Sequence, residues 1–450
     1  MIVDVIDVAL PNNYGVAKEE GRVIFVPDAV AGDRVRIKIQ KEQKKLTYGS
    51  IEEVVTPSPF RTEPECPHFG PCGGCTFQNV VYEKQLLIKE NYLIETLKRI
   101  GGLDTSGVVL EPIVASPEVL YYRNKLELSF GTNSGRLALG LRERALPFRD
   151  YEGKVLPIKK CLVTSRLVET IIPIFTEFMD SRGLRPYNPI TGEGFLRRLV
   201  VRESKSLGEV MLILETKSGE IPELALLAQT LPRIAPQVRS FYWIINNGRG
   251  DVRRSERTQL ISGMAYITEK LNGFTFKVLP GSFFQPNPKA VEFMYEEIPR
   301  VTGLEVDENV LGLYSGTGTI EIFLSRKAKD VIGVDSEGSN IAAARDNCRL
   351  NNVRNCVFHE GKVEAVLKTT EFRDVGLLVL DPPRGGVSPE GLKYIFRIHP
   401  KKIGYISCNP STLARDLKLL RAQGYRITRI APFDFFPHTP HIETLVGLCR

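Results

Sequence analysis

A chain of 450 residues exceeds what one hydrophobic core usually serves, so two or three domains are expected. With 42% hydrophobic and 25% charged residues and no apolar run of membrane-spanning length, the composition excludes a helical membrane protein and a disordered chain. Lys and Arg number 60 against 53 Asp and Glu, and an excess of +7 is too mild to name a partner unless the cations cluster. They cluster in KIQKEQKKLTYG (38–49), FLRRLVVRESK (195–205) and NGRGDVRRSERTQ (247–259), which favours a polyanionic partner. The opening MIVDVIDVALPNNYG carries no basic stretch, so no signal peptide is expected. The protein should be cytoplasmic and without a membrane partner, and the lack of heptads makes a monomer the default.

In chain order, residues 1–56 read as short alternating strands (IVDVIDVAL, GVAKEEGRVIFVPDA, DRVRIKIQK, LTYGSIEEVV) separated by turns. This spacing predicts a small OB-like β-barrel, an architecture that often offers a basic face to oligonucleotides. TPSPFRTEPE is a proline-rich break. Residues 57–280 are expected to form a central α+β domain. It opens with a crowded cysteine segment and the helix YEKQLLIKENYLIETLKRI, which stops at Gly101-Gly102. Strand runs such as KLELSFGT and EVMLILETK follow. From 281 to 450 strand-like and helix-like segments alternate regularly, which predicts an α/β domain with a parallel sheet covered by helices on both faces.

The chemistry-bearing motifs concentrate in that last part. NVLGLYSGTGTIEIFLS runs from a strand through Gly316 and Gly318 into a helix; glycine there lets the backbone pass close to a ligand. The next strand ends at Asp335, 17 residues beyond Gly318, placed to accept hydrogen bonds from ribose hydroxyls. Glu321 replaces the third glycine of a dinucleotide fingerprint, which points away from NAD and towards a ligand without pyrophosphate, such as S-adenosylmethionine. DPPRGG sets Asp381 at a strand end before two stiff prolines, and GSFFQPNP offers Gln285. In GYISCNPSTLARDL, Cys408 stands between a buried strand and a new helix, where a side chain faces the ligand crevice. A helix N-terminus beside it should lower the pKa of its thiol. PHTPHIETLVGLC brings His438, His441 and Glu443 near the end; the His-x-x-His pair lacks further ligands for a metal.

The spacing Cys66-x5-Cys72-x2-Cys75, with Cys161 distant, supplies four thiolates, enough for an iron-sulfur cluster or a four-cysteine zinc site.

Taken in this order, the cysteine cluster, the SGTG turn, DPPR, Cys408 and Glu443 resemble the RNA 5-methyluridine methyltransferases along essentially the whole chain. The resemblance implies a C-terminal Rossmann-like methyltransferase domain, an N-terminal TRAM-like RNA-binding barrel, S-adenosylmethionine and a [4Fe-4S] cluster. It implies a cofactor site lined by Gln285, Tyr314, Asp335 and Asp381 together with the Gly316–Gly318 turn and Thr319, the last standing where some relatives have Asn. Cys408 would be the nucleophile and Glu443 the base. The substrate implied is RNA, 23S ribosomal RNA first and the T-loop of transfer RNA second. Two rival readings are an enzyme methylating an exocyclic nitrogen, which needs no nucleophile, and a non-catalytic RNA-binding protein.

Overall fold

The computed structural model describes residues 1–43, 46–104, 107–149, 153–250 and 255–450. Lys44, Lys45, Arg253 and Arg254 of the basic runs lie outside the described residues.

The N-terminal strands Ile2–Asp4, Asp7–Ala9, Tyr14–Glu19, Arg22–Pro27, Arg34–Gln43 and Leu46–Thr56 form one six-stranded sheet. Its two edge strands, Ile2–Asp4 and Asp7–Ala9, are consecutive in the chain, and the Ile6 N–H donates to the Val16 carbonyl at 2.8 Å. The sheet therefore curls on itself into a barrel. Alternation along RVRIKI turns Val35 and Ile37 inward onto Val3, Ile24 and Val26 and leaves Arg34, Arg36 and Lys38 in solvent. Buried Asp33 ties the barrel to the proline-rich segment after it: it pairs with Arg61 at 2.6 Å and accepts the Ser58 N–H at 2.9 Å.

The central sheet has seven strands in the order 155–157, 136–142, 125–133, 196–203, 210–216, 238–245, 257–263. Only the pairing of 210–216 with 238–245 is parallel, as expected where the helix Leu224–Ile234 makes the crossover. That helix and Val168–Asp180 share the core cluster of this sheet.

One expectation fails here. The run 195–205 is not a cationic surface but the strand Leu196–Glu203, paired on both sides. Arg197 and Arg202 are buried. Arg197 donates to the Gly248 carbonyl at 2.8 Å and stacks over the Tyr187 ring, while Arg202 donates to the Leu279 carbonyl at 2.7 Å. Arg198 pairs with Glu215 at 2.8 Å. These guanidiniums satisfy buried carbonyls and carboxylates, so they hold the sheet together and cannot meet phosphates.

The C-terminal sheet has eight strands in the order 356–360, 331–335, 309–313, 375–380, 402–407, 443–449, 426–433, 109–110. The first five are parallel and buried by helices on both faces, which is why VGLLVL (375–380) is apolar throughout. The chain leaves strand 309–313 in one direction for 331–335 and 356–360, then returns on its other side at 375–380. Ligands bind at such a switch point, outside the carboxyl ends of the strands. The last strand, Glu443–Cys449, inserts antiparallel between 402–407 and 426–433. The short strand Val109–Leu110 completes the edge and helix Tyr82–Arg99 packs on helix Pro410–Ala422, so elements from before residue 280 belong spatially to this sheet.

Candidate active site

The glycine turn lies at the switch point. Tyr314, Gly316 and Gly318 all have positive φ (65°, 52° and 78°), so the chain turns sharply off strand Asn309–Leu313 into helix Thr319–Leu324. The two glycines do different work. A Cβ on Gly318 would lie 2.7 Å from the Phe358 ring and 3.0 Å from Ala344, so that position is closed to any side chain. A Cβ on Gly316 would meet nothing within 4 Å. The open side of the turn thus has room for a ligand, and the packed side fixes its shape.

Asp335 ends the neighbouring strand. Its carboxylate accepts the Gly316 N–H and the Glu337 N–H, each at 2.9 Å, and so pins the turn to the strand beside it. Thr319 bonds the Tyr295 hydroxyl at 2.7 Å. Gln285, from the segment before helix Pro288–Thr302, donates to Asp381 at 3.3 Å across the switch point, and Asp381 donates its own N–H to Leu313 at 3.3 Å. Burial pushes the Asp381 carboxyl up to about 7. Hydrogen bonds thus link Gln285 to Asp381 and Asp335 to the Gly316 turn, at the carboxyl ends of neighbouring parallel strands.

Cys408 follows strand Lys402–Ser407 and precedes helix Pro410–Ala422, whose N-terminus Asn409 caps through its side chain at 3.1 Å from the Ser411 N–H. The antiparallel register pairs Ser407 with Thr444. Cys408 follows Ser407 and Glu443 precedes Thr444 on these neighbouring strands, so the insertion of the last strand is what brings the thiol within electrostatic reach of the carboxyl group.

The electrostatics correct one expectation. The Cys408 thiol is not lowered by the helix N-terminus; burial, the Glu443 charge and the Asp381 charge raise it to about 11, against an opposing pull from Arg384. Burial likewise raises Glu443 well above the ordinary carboxylate range; Asp381 adds to the rise and Arg384 opposes it. Arg384 is the residue that the reading of the sequence left without a role. It belongs to the DPPR motif, its carbonyl accepts the Asn409 side-chain N–H at 3.0 Å, and its guanidinium is 3.2 Å from His441. The signal was the fourth residue of a motif read only for its first. His441 itself is driven down to about 4 by burial and by Arg384, so it is neutral there. His438 lies elsewhere, against the cysteine segment.

Cys66, Cys72, Cys75 and Cys161 line one cavity of about 80 Å³ with His68, Gln78 and Arg123. All four are free thiols. Backbone N–H groups reach two of the sulfurs, Gly74 to Cys72 at 3.4 Å and Val163 to Cys161. Burial raises the Cys75 thiol to about 12 and Cys161 to about 11, with the neighbouring cysteines adding to each rise, so the sulfurs cannot all ionise there without a cation. Among the described residues no three His, Cys, Asp or Glu groups are arranged to hold a single metal ion. The four thiols thus share one small cavity, with no arrangement among the described residues that selects between a thiolate-held cluster and a single ion. Among the described residues no helix is long and apolar enough to cross a membrane.

Residues 250–450, the span that carries the glycine turn, Asp381, Cys408 and Glu443, match the family model described as tRNA (Uracil-5-)-methyltransferase. An uncharacterized RNA methyltransferase of Bacillus cereus is 34% identical over 97% of this chain and 94% of its own length, and one of Clostridium acetobutylicum is 36% identical over 97% and 94%. The crystal structure of Pyrococcus abyssi tRNA (uracil-54, C5)-methyltransferase in complex with S-adenosyl-L-homocysteine superimposes with a TM-score of 0.77 at 29% identity, covering 99% of this chain and all of that one. With the sheet order and these similarities in agreement, the chain belongs to the RNA methyltransferases, and its residues 250–450 match the tRNA (uracil-5-)-methyltransferase family.

Proposed function

We propose that this enzyme methylates carbon 5 of a uracil in RNA, with Cys408 as nucleophile and Glu443 as base. The observation that carries the reading is that Cys408 and Glu443 sit on neighbouring strand ends within electrostatic reach of one another and of Asp381 and Arg384. Carbon 5 of uracil is a poor nucleophile. Addition of the Cys408 thiolate to C6 makes an enolate whose C5 can attack an electrophilic methyl group. S-adenosylmethionine supplies that methyl, a sulfonium methyl whose bond to sulfur breaks as the new bond to carbon forms. Asp335 suits its ribose, and Gln285, Tyr314, Thr319 and Asp381 the rest of the molecule. Glu443 then takes the C5 proton, the C6–S bond breaks and the thiolate is restored. Arg384 favours the charged forms of both groups and so supports each ionisation the sequence of steps requires.

A uracil must be out of its stack to be reached from both faces, which an RNA loop permits more cheaply than a duplex. We assign 23S ribosomal RNA as the first substrate; the likeness to an enzyme named for uracil 54 of tRNA favours transfer RNA as a second. Labelled methyl transfer from S-adenosylmethionine to total RNA from cells lacking the protein separates them. Labelled 5-methyluridine in 23S RNA supports the first, in transfer RNA the second, and label on a base nitrogen overturns the reaction itself.

The four cysteines would hold a [4Fe-4S] cluster, with zinc as the alternative. Cys161→Ser should remove the brown colour and most of the iron from protein purified without oxygen, read by absorbance and metal analysis. Full retention of both excludes Cys161 as a ligand, and stoichiometric zinc in the colourless wild type selects the alternative.

A further inference from the structure

The cysteine segment lies far from Cys408 in sequence, yet it is bonded directly to the segment that leads into Glu443. The carbonyl of His438 accepts two successive amides, Thr76 at 2.9 Å and Phe77 at 3.0 Å, immediately after Cys75. The N–H of the same residue donates to Gln85 Oε1 at 2.9 Å, and the Gln85 amide returns bonds to the Phe77 carbonyl at 3.0 Å and the Val80 carbonyl at 2.8 Å. Gln85 is wholly buried on helix Tyr82–Arg99. One turn further along that helix, buried Lys89 binds Asp434 at 2.6 Å and the Phe436 carbonyl at 3.0 Å. The Tyr122 hydroxyl holds the Pro437 carbonyl at 3.1 Å. His438 is held at φ 64°, a left-handed conformation uncommon for a residue other than glycine. Residues 434–438 are thus fixed from outside the C-terminal sheet, and the chain from 439 to 443 runs from that anchor to the carboxylate.

We infer that Gln85 and the Thr76–Phe77 amides are positioning groups for the Glu443 carboxylate, so that the cysteine segment serves proton abstraction from C5 without touching the substrate. This rests on the mechanism proposed above, in which Glu443 acts only after methyl transfer.

That order supplies the test. In RNA carrying 5-fluorouridine, Cys408 can add and the methyl can move, but fluorine cannot leave as a cation, so a covalent protein–RNA complex accumulates without any need of the base. Gln85→Met keeps the volume and removes the hydrogen bonds. It should lower turnover on ordinary RNA by about tenfold. Its rate of complex formation on fluorinated RNA should stay within about twofold of wild type. Tyr122→Phe, a milder change at the same anchor, should shift the same ratio in the same direction and serves if Gln85→Met does not fold. Turnover and complex formation falling together, or neither changing, overturns the inference. Failure of the wild type to form the complex instead overturns the mechanism on which it rests.

Discussion

Replacing Cys408 by alanine should abolish methyl transfer to RNA, with a loss on the order of 10⁴-fold or more, as expected when a covalent nucleophile is removed from a site that otherwise stays intact. The substitution should leave S-adenosylmethionine binding close to wild type, because Asp335, the glycine turn and Asp381 belong to other strands. The measurement is single-turnover transfer of labelled methyl, beside calorimetric titration with the cofactor. A direct transfer to an exocyclic nitrogen needs no thiolate, so retained activity in Cys408→Ala would sink the C5 mechanism and favour that rival.

In the proposed mechanism the same thiol sets the pH dependence. A group with a pKa of about 11 is almost wholly protonated at neutral pH, and below that value its thiolate fraction rises tenfold per pH unit. Glu443 is also raised and must lose its proton before it can take one from carbon. Both shifts have the same sign for catalysis: kcat/KM, which reports the free enzyme, should climb from pH 6 through pH 9 with no plateau at neutrality. A plateau already reached at pH 7 would mean that the thiol is ionised in the free enzyme and that Arg384 outweighs burial and the two carboxylates.

How legible the site was depended on which physics each residue obeys. The parallel sheet was visible because both faces are buried, so its strands are short apolar runs punctuated by helices of different period. The positions of the glycine turn and of Asp335 and Asp381 were visible because a sharp positive-φ turn demands glycine and because the apolar strand runs before each carboxylate mark where the strands end. The closeness of Cys408 and Glu443 was not readable from spacing: they are 35 residues apart, and the insertion of the last strand beside 402–407 is a choice of topology, not of local propensity. For the same reason the direction of the Cys408 shift was misjudged. A helix N-terminus is local and can be read from sequence, whereas the two carboxylates that oppose it arrive from other segments. Arg197 and Arg202 failed on the opposite assumption, that charge marks surface; a strand with partners on both sides takes its arginines inward and satisfies them with carbonyls. The four cysteines could be grouped by residue type alone, although Cys161 reaches the others only through the packing of its loop.

Glu443→Gln should separate the two halves of the reaction. The amide keeps the size of the side chain and cannot accept the C5 proton, so Cys408 addition and methyl transfer remain possible while release of the adduct does not. Turnover should fall by about 10²- to 10⁴-fold, the range expected for loss of a positioned general base. A covalent protein–RNA complex carrying labelled methyl should accumulate on ordinary uridine RNA, visible as a band that resists denaturing electrophoresis. The substitution also removes one of the two nearby carboxylates that hold the Cys408 thiol up, so the pKa governing complex formation should move down from about 11. Complex formation by the variant should therefore be faster than wild-type addition at pH 7 and should lose part of its pH dependence. If Glu443→Gln turns over normally, the base lies elsewhere, and Asp381, the other carboxylate at these strand ends, with a pKa of about 7, is the group to replace next. If turnover is lost and no complex forms, Glu443 acts before methyl transfer, as the group that takes the proton from Cys408, and the proposed order of steps is reversed at that residue.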